Sequence, residues 1–438
     1  MLRIRAKWAD STGLLAAPRR RLLARNLSIL VAGDLLGRLL ATVAFIHLAR
    51  TLQPAYFGAL ELTLAVVMVL TLVVDLGLKT LGAREVARVP TTFVGLAARI
   101  VPLQGVVAGG VYALLLLSLW LLPLDATMKW LLAGFGLTLL AYPLILNWVF
   151  QGRNEMAWVA LPLFLRQAVF AVLALLLVEG PGQVLRLPAF ELAGAGLAVA
   201  VNLAAFRRIG GRLAIRASAW IDRSLLVETL PIAASNLIWA LRMYLPLILL
   251  GLLAGSAAAG TFAAPHRAMM VLQAVLLLYL NNLFPTISQA AKAWNGNPDP
   301  AAPDLGRLLR RSMFLVLPVA VALALGTMLI APALVALVLG GSAAWQASIP
   351  VLALLIWLIP VLVARGHSYF ALIALDRQRQ EMWCSVAGVI LLFGLFLILA
   401  PRYGAVGTAW AMLISELCAT ALSWWLLRGY LKAGSLAL

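Results

Sequence analysis

Five arginines, Arg38, Arg166, Arg242, Arg267 and Arg365, stand inside segments that are otherwise apolar. On insertion scales a charged residue at the centre of a bilayer costs roughly 2.5–3.5 kcal/mol, so such a group faces a bundle interior or a watery cavity. A guanidinium offers a planar fork of N–H donors that matches phosphate or carboxylate bidentately. The deep acids are fewer, namely Asp34, Glu61 and Glu416, with Asp75, Glu191 and Glu228 near segment ends. The surplus of arginines over carboxylates leads to the expectation that positive charge lines a cavity for an anionic cargo, with phosphate or pyrophosphate as the group recognised. The competing expectation is that each arginine pairs with a nearby carboxylate or helix carbonyl and only joins helices.

Residues three and four apart share a helix face. Asp34 and Arg38 lie on one stripe, and Glu228, Ser235, Trp239 and Arg242 on another. His266, Met270, Gln273 and Asn281 form a third, with Arg267 adjacent. On the second stripe Arg242 has only Glu228, about four turns away, so it is expected to be the freer anion ligand. Asp34, Glu61, Glu416 and His266 are the candidates for ion coupling. His47 and His367 also fall in apolar segments and titrate near neutral pH when unperturbed, although a lone buried histidine is more often a hydrogen-bonded packing residue.

No Gly-Lys pair exists, because Lys7, Lys79, Lys129, Lys292 and Lys432 follow Ala, Leu, Met, Ala and Leu. The phosphate-cradling P-loop is therefore absent, and direct use of ATP is not expected. Cys384 and Cys418 leave no disulfide framework or metal-ligand spacing. Catalytic residues, a cofactor and a metal are not expected, and the chain is read as a transporter and not an enzyme.

These residues are carried by a chain of 438 residues with 64% hydrophobic and 11% charged content and a mean hydropathy of +1.01. Such a composition belongs to integral membrane proteins. The net charge of +18 does not indicate nucleic acid as partner, because the basic residues cluster between apolar segments. A helix needs about 20 mostly apolar residues to cross the bilayer core. Twelve segments satisfy this, at 27–49, 57–78, 100–122, 130–151, 157–178, 189–206, 225–252, 259–287, 312–338, 348–373, 382–400 and 404–427. With the basic amino terminus in the cytoplasm, 25 of the 34 lysines and arginines fall on the cytoplasmic side and 4 opposite, the other five being the intramembrane arginines. That split follows the positive-inside rule and predicts both termini cytoplasmic. Arg3, Arg5 and Lys7 precede a first apolar run that contains Asp34 and Arg38, so a cleaved signal peptide is not expected.

The expected class is all-α, about twelve transmembrane helices in two lobes of six. A basic segment 1–25 precedes an amino-terminal lobe at 26–206, a linker at 207–224, a carboxy-terminal lobe at 225–428 and a tail at 429–438. Setting Phe57-Gly58 against Ala259-Gly260 places Arg38 and Arg242 at corresponding depths in the opening helix of each half. Six spans per half make such repeats parallel, related by an axis along the membrane normal. Gly33-x-x-x-Gly37, Gly105-x-x-x-Gly109 and Gly251-x-x-x-Gly255 are read as close helix contacts.

The chain also carries Leu48-Ala49-Arg50 with Phe57-Gly58, Asp75-Leu76-Gly77-Leu78 and Arg84-Glu85-Val86-Ala87. Further on come Asn147-Trp148-Val149-Phe150-Gln151-Gly152 with Met156, Ala264-Pro265-His266-Arg267, Phe284-Pro285-Thr286-Ile287-Ser288 and Tyr403-Gly404-Ala405-Val406-Gly407-Thr408-Ala409. In order and spacing these segments resemble the polysaccharide and oligosaccharide flippases related to O-antigen flippases. That family shares a superfamily with multidrug-and-toxin extruders and the lipid II flippase. The resemblance runs from about Asn26 to Trp425 and departs at His266, where a less polar residue is usual. It implies a two-lobed bundle moving a polyprenyl-pyrophosphate-linked oligosaccharide from the cytoplasmic to the periplasmic leaflet of the inner membrane by alternating access. Membrane lipids and other polysaccharide-assembly proteins are the implied partners. The alternatives are a drug extruder of the same superfamily, a membrane enzyme acting on polyprenyl-linked sugars, and a transport-dead scaffold that recruits partners.

Overall fold

The computed structural model describes residues 17–213, 223–294 and 304–435. Among these the chain is helical with no strand: α1 Ala17–Asp75, α2 Leu78–Arg88, α3 Phe93–Leu121, α4 Ala126–Gly136, α5 Thr138–Ala141, α6 Asn147–Gly152, α7 Ala157–Leu177, α8 Leu187–Arg208, α9 Arg223–Trp294, α10 Leu305–Leu329, α11 Ala331–Leu339, α12 Ser348–Leu355, α13 Leu358–Ala374 and α14 Gln378–Ser435. Helix is the conformation that pairs every backbone N–H and C=O within one segment, which hydrocarbon demands. Nine stretches among the described residues are long and apolar enough to cross a membrane. This is a multi-pass, all-α membrane protein.

α1, α9 and α14 run for 59, 72 and 58 residues, far more than one crossing uses. Each is broken by one non-helical residue: Gln53, Gly255 or Gly404. Two of the breaks are glycines at positive φ, and Gln53 at φ 61 is followed by Pro54, which cannot donate to the preceding turn. A second kind of break separates α1 from α2, where Leu76 and Gly77 both take positive φ. A Cβ at Gly77 would also stand 2.9 Å from Ile232, so glycine answers both the backbone and the packing there.

The chain forms two compact units. One holds Met1–Thr51 with Val66–Leu241, and the other Leu52–Ala65 with Arg242–Leu438. Compactness thus does not divide at the basic connection after Arg207: the segment after Gln53 belongs with the later helices, and the first part of α9 with the earlier ones. In the first unit Leu78, Leu81, Phe93, Trp148, Phe150 and Phe206 are buried together. In the second, Ile287, Leu305, Leu309, Leu372 and Leu427 are. Trp120, Phe314 and Leu329 remain exposed, as residues facing lipid would.

The small-residue motifs behave unequally. Gly33 and Gly37 abut Ala160 and Gln167 of α7, and Gly251 abuts Leu62. Gly105, Gly109 and Gly255 have open space where a Cβ would be, so for them the expected close contact does not form. Gly255 serves instead as the break in α9. Within the second unit Gly58 and Gly260 meet backbone to backbone, Gly58 against Gly260 N and Gly260 against Pro54. Any side chain at either position would separate the two segments.

Candidate functional site

Among the described residues Arg166, Arg242, Arg267 and Arg365 are ion-paired, and the expected surplus of free positive charge is corrected by their partners. Arg166 binds Glu191 Oε1 through Nε at 2.6 Å and Nη2 at 2.5 Å, joining α7 to α8. Arg267 binds both oxygens of Glu61, Nε to Oε1 at 2.8 Å and Nη2 to Oε2 at 2.9 Å. Arg242 donates Nη2 to Glu416 Oε2. Arg365 is enclosed by Glu381, with Nη2 to Oε1 at 2.5 Å and Nη1 to Oε2 at 3.4 Å. The physical reason is that pairing follows tertiary neighbours and not the stripe of one helix. Glu416 lies 174 positions from Arg242, and Glu61 206 positions from Arg267.

Arg242 is therefore not the unpartnered cation its own stripe suggested. Glu228, its expected companion, accepts from Arg84 at 2.6 Å instead. Glu381 escaped the sequence reading because it lies one residue before the limit set for its segment. The signal was present in the Glu381-x-x-x-Ser385 spacing, and Ser385 Oγ does donate to Glu381 Oε1 at 3.2 Å.

The four arginines differ in what remains available. Arg365 is 6% exposed as a side chain. Its Nη1 also donates to the Ala419 carbonyl at 3.1 Å and to Ser423 Oγ, its Nη2 to Ser385 Oγ at 2.9 Å, and its Nε lies 3.8 Å from Glu416 Oε1. A guanidinium has five N–H donors, and here both Nη groups are turned on protein atoms. Arg242, by contrast, is 35% exposed and spends Nη2 on Glu416. Glu416 Oε1 is buried with no hydrogen-bond partner, so this carboxylate stands between Arg242 and Arg365 with one oxygen committed and one not. The cluster can hold an anion at Arg242 in competition with Glu416, whereas Arg365 fixes α13 to α14.

Arg38 is exposed on α1. The side chain of Asp34 lies outside the described residues, so the expected Asp34–Arg38 stripe is not described. His266 is buried, stacked on Phe262 with centroids 5.2 Å apart, and its Nε2 has no hydrogen-bond partner. His47 Nε2 meets the Val178 carbonyl at 2.7 Å, and His367 Nδ1 the Val363 carbonyl at 2.8 Å, both as packing histidines do. Among the described residues no group of three metal-ligating side chains comes together.

Residues 23–291, more than half of the chain, match the family described as "Polysaccharide biosynthesis protein". The chain belongs to that family. No curated protein matches it in sequence. Its fold is similar to that of an inward-facing multidrug resistance MATE family transporter of the MOP superfamily, with a TM-score of 0.69 at 14% identity over 90% of this chain and 95% of the other. It is similar also to the lipid II flippase MurJ in an inward closed conformation, with a TM-score of 0.70 at 11% identity over 91% of this chain and 87% of the other. A MOP superfamily transporter from Pyrococcus furiosus, described as having a binding pocket of reverse polarity, gives a TM-score of 0.56 at 15% identity over 94% and 95%. At these identities the likeness is one of fold. It agrees with the family resemblance read from Leu48-Ala49-Arg50 through Tyr403-Gly404.

Proposed function

We propose that this member of the polysaccharide biosynthesis family is a flippase that moves a polyprenyl-pyrophosphate-linked oligosaccharide from the cytoplasmic to the periplasmic leaflet of the inner membrane, by alternating access and without nucleotide. The observation that carries the reading is the family match over residues 23–291 on a fold shared with a lipid II flippase. In this reading the chain crosses the membrane twelve times in two parallel six-helix repeats, with both termini cytoplasmic. Arg242 and Arg38 are the pyrophosphate ligands. Arg242 fits the role because it is partly exposed and holds donors beyond the one given to Glu416, and a guanidinium fork matches two phosphate oxygens. Arg267 and Arg166, each spending two N–H groups on a carboxylate, serve the cargo less directly. Cargo lipid, bulk lipid and polysaccharide-assembly proteins are the partners.

The test is reconstitution into vesicles with a fluorescent polyprenyl-pyrophosphate glycan on one leaflet. Protein-dependent appearance on the other leaflet without ATP is the expected result. A second reading, extrusion of a small molecule, is favoured by the fold shared with a multidrug transporter. Movement of cationic drugs with no movement of the glycan lipid would establish that reading and overturn the first.

A further inference from the structure

A polar cluster sits where α1 ends and α2 begins, between the spans Leu36–Asp75 and Pro90–Leu121. Asp75 Oδ2 accepts from the Gly77 N–H at 3.1 Å, and Oδ1 accepts from Gln104 Nε2 at 3.4 Å and from the Tyr142 hydroxyl at 3.2 Å. Half-buried Lys79, one turn further on, donates Nζ to the Tyr142 carbonyl at 3.1 Å and holds it 3.3 Å from the centre of the Tyr142 ring. Among the described residues no carboxylate oxygen lies within 4.0 Å of that nitrogen. A carbonyl dipole and an aromatic face are its direct partners, and full charge compensation is missing.

The charged groups around Lys79 are few. Asp75 favours its ammonium form, and Arg166, itself held by Glu191, disfavours it. α6, packed along α2, brings no titratable residue. The nearest basic group on α3, Arg99, turns to Ser224 at 3.1 Å. Burial pushes the Lys79 ammonium from 10.5 down to about 7, with Arg166 adding to the fall and Asp75 opposing it.

We infer that Asp75, Gln104, Tyr142 and Lys79 form a proton-binding site in which the Lys79 amine takes and releases the proton. Release leaves a neutral amine and delivers the proton to water. The amine then sheds the cost of a buried charge along with its attraction to the Tyr142 ring and to Asp75, which keeps its three donors. The change acts at a joint, since Leu76 and Gly77 hold the break between α1 and α2. It is passed along α2 to Arg84, whose guanidinium reaches Glu228 at the start of α9. The hydrogen bonds of this cluster involve none of Glu61, Glu416 or His266.

The experiment uses the full chain in detergent with lysine labelled by 13C and 15N at the amine end, followed by NMR across pH 5 to 11. Five lysines give five signals, and Lys79→Arg identifies that of Lys79 by its loss. A Lys79 midpoint within about one unit of 7, with the others near the ordinary value of about 10.5, is expected. A Lys79 midpoint above 9 overturns the proposal. Hydrogen exchange of α2 is the second measurement: protection should be higher at pH 8 than at pH 6 in the wild type, after correction for intrinsic rates, because the opened segment binds the proton more tightly than the closed one, and insensitive to pH in Lys79→Arg. Persistence of the pH effect in Lys79→Arg would also overturn it. No cargo is needed, so failure here is separate from failure of the flippase reading.

Discussion

Arg267 and Glu61 are joined by two parallel hydrogen bonds of 2.8 and 2.9 Å across 206 positions of sequence. The bond fixes the Leu52–Ala65 segment to α9 within the second unit, about one to two turns from the Gly58–Gly260 crossing. Glu61 is 7% exposed as a side chain and Arg267 36%. Removing one partner strands a carboxylate or a guanidinium, which in a fully buried pair costs about 3–5 kcal/mol. Exposure of Arg267 reduces that here to roughly 2–3 kcal/mol. Glu61→Gln and Arg267→Met should each lower thermal stability, and the double variant should recover most of the loss. Additive losses in the double-mutant cycle would show that the pair is not coupled.

Arg365 should behave as a structural residue. Its donors meet Glu381, Ser385, Ser423 and the Ala419 carbonyl in an enclosed site. Arg365→Met should reduce the amount of folded protein extracted from membranes, with a stability loss of about 3–5 kcal/mol. Arg365→Met combined with Glu381→Leu should restore part of it, because an apolar pair of similar volume does not leave a lone charge. Size-exclusion chromatography and thermal unfolding in detergent measure both.

Much of the fold was legible because hydrocarbon imposes length and apolarity on each crossing, and those are written locally. Gln53, Gly255 and Gly404 interrupt helices where the apolar runs change over, which hydropathy locates to within a turn or two. The partners of the arginines were not legible. Glu416 meets Arg242 from 174 positions away, and no pattern on a single helix encodes that. Nor was the role of Lys79 legible, because what marks it is the carbonyl and ring of Tyr142, 63 positions on.

The topology can be checked with thiol labels in a Cys384→Ala, Cys418→Ala background. Gly182 has open space for a side chain, and Ser342 is exposed. Gly182→Cys and Ser342→Cys should react with an impermeant reagent from outside intact cells, and Thr91→Cys and Arg212→Cys only after the membrane is opened. Outside labelling at Thr91 would overturn the positive-inside assignment.

The low affinity of Lys79 for its proton sets the sign of a pH dependence. In the unfolded chain this lysine keeps its proton up to 10.5, whereas in the folded chain it loses it near 7. Between those values the unfolded state binds more protons, so this group makes stability rise with pH from about 7 towards 10.5 and contributes a constant deficit below 7. Thermal unfolding of the wild type at pH 6, 7, 8 and 9 should include this rise, and Lys79→Met should remove it while being more stable than the wild type at pH 6. Equal slopes in the two proteins would assign the pH dependence elsewhere.

If Arg242 holds the cargo's pyrophosphate as proposed, Glu416 is its competitor there. It commits Oε2 to Arg242 and leaves Oε1 buried, without a hydrogen bond, 3.8 Å from Arg365 Nε. A phosphate arriving at Arg242 can therefore displace Glu416 without stranding it, because Arg365 stands on its other side. Glu416→Gln removes the competing charge, so inorganic pyrophosphate should bind about 5–10-fold more tightly to the purified variant, equivalent to about 1–1.4 kcal/mol. Tighter holding of the anion should also slow its release, so flipping should fall although binding improves. Arg242→Ala should lose both pyrophosphate binding and export at normal abundance, and Arg242→Lys should rescue poorly because a point charge lacks the fork. Isothermal titration with pyrophosphate and complementation of glycan export test these together. Full export by Arg242→Ala would return that arginine to a structural role beside Arg365, and unchanged pyrophosphate affinity in Glu416→Gln would show that the carboxylate does not compete.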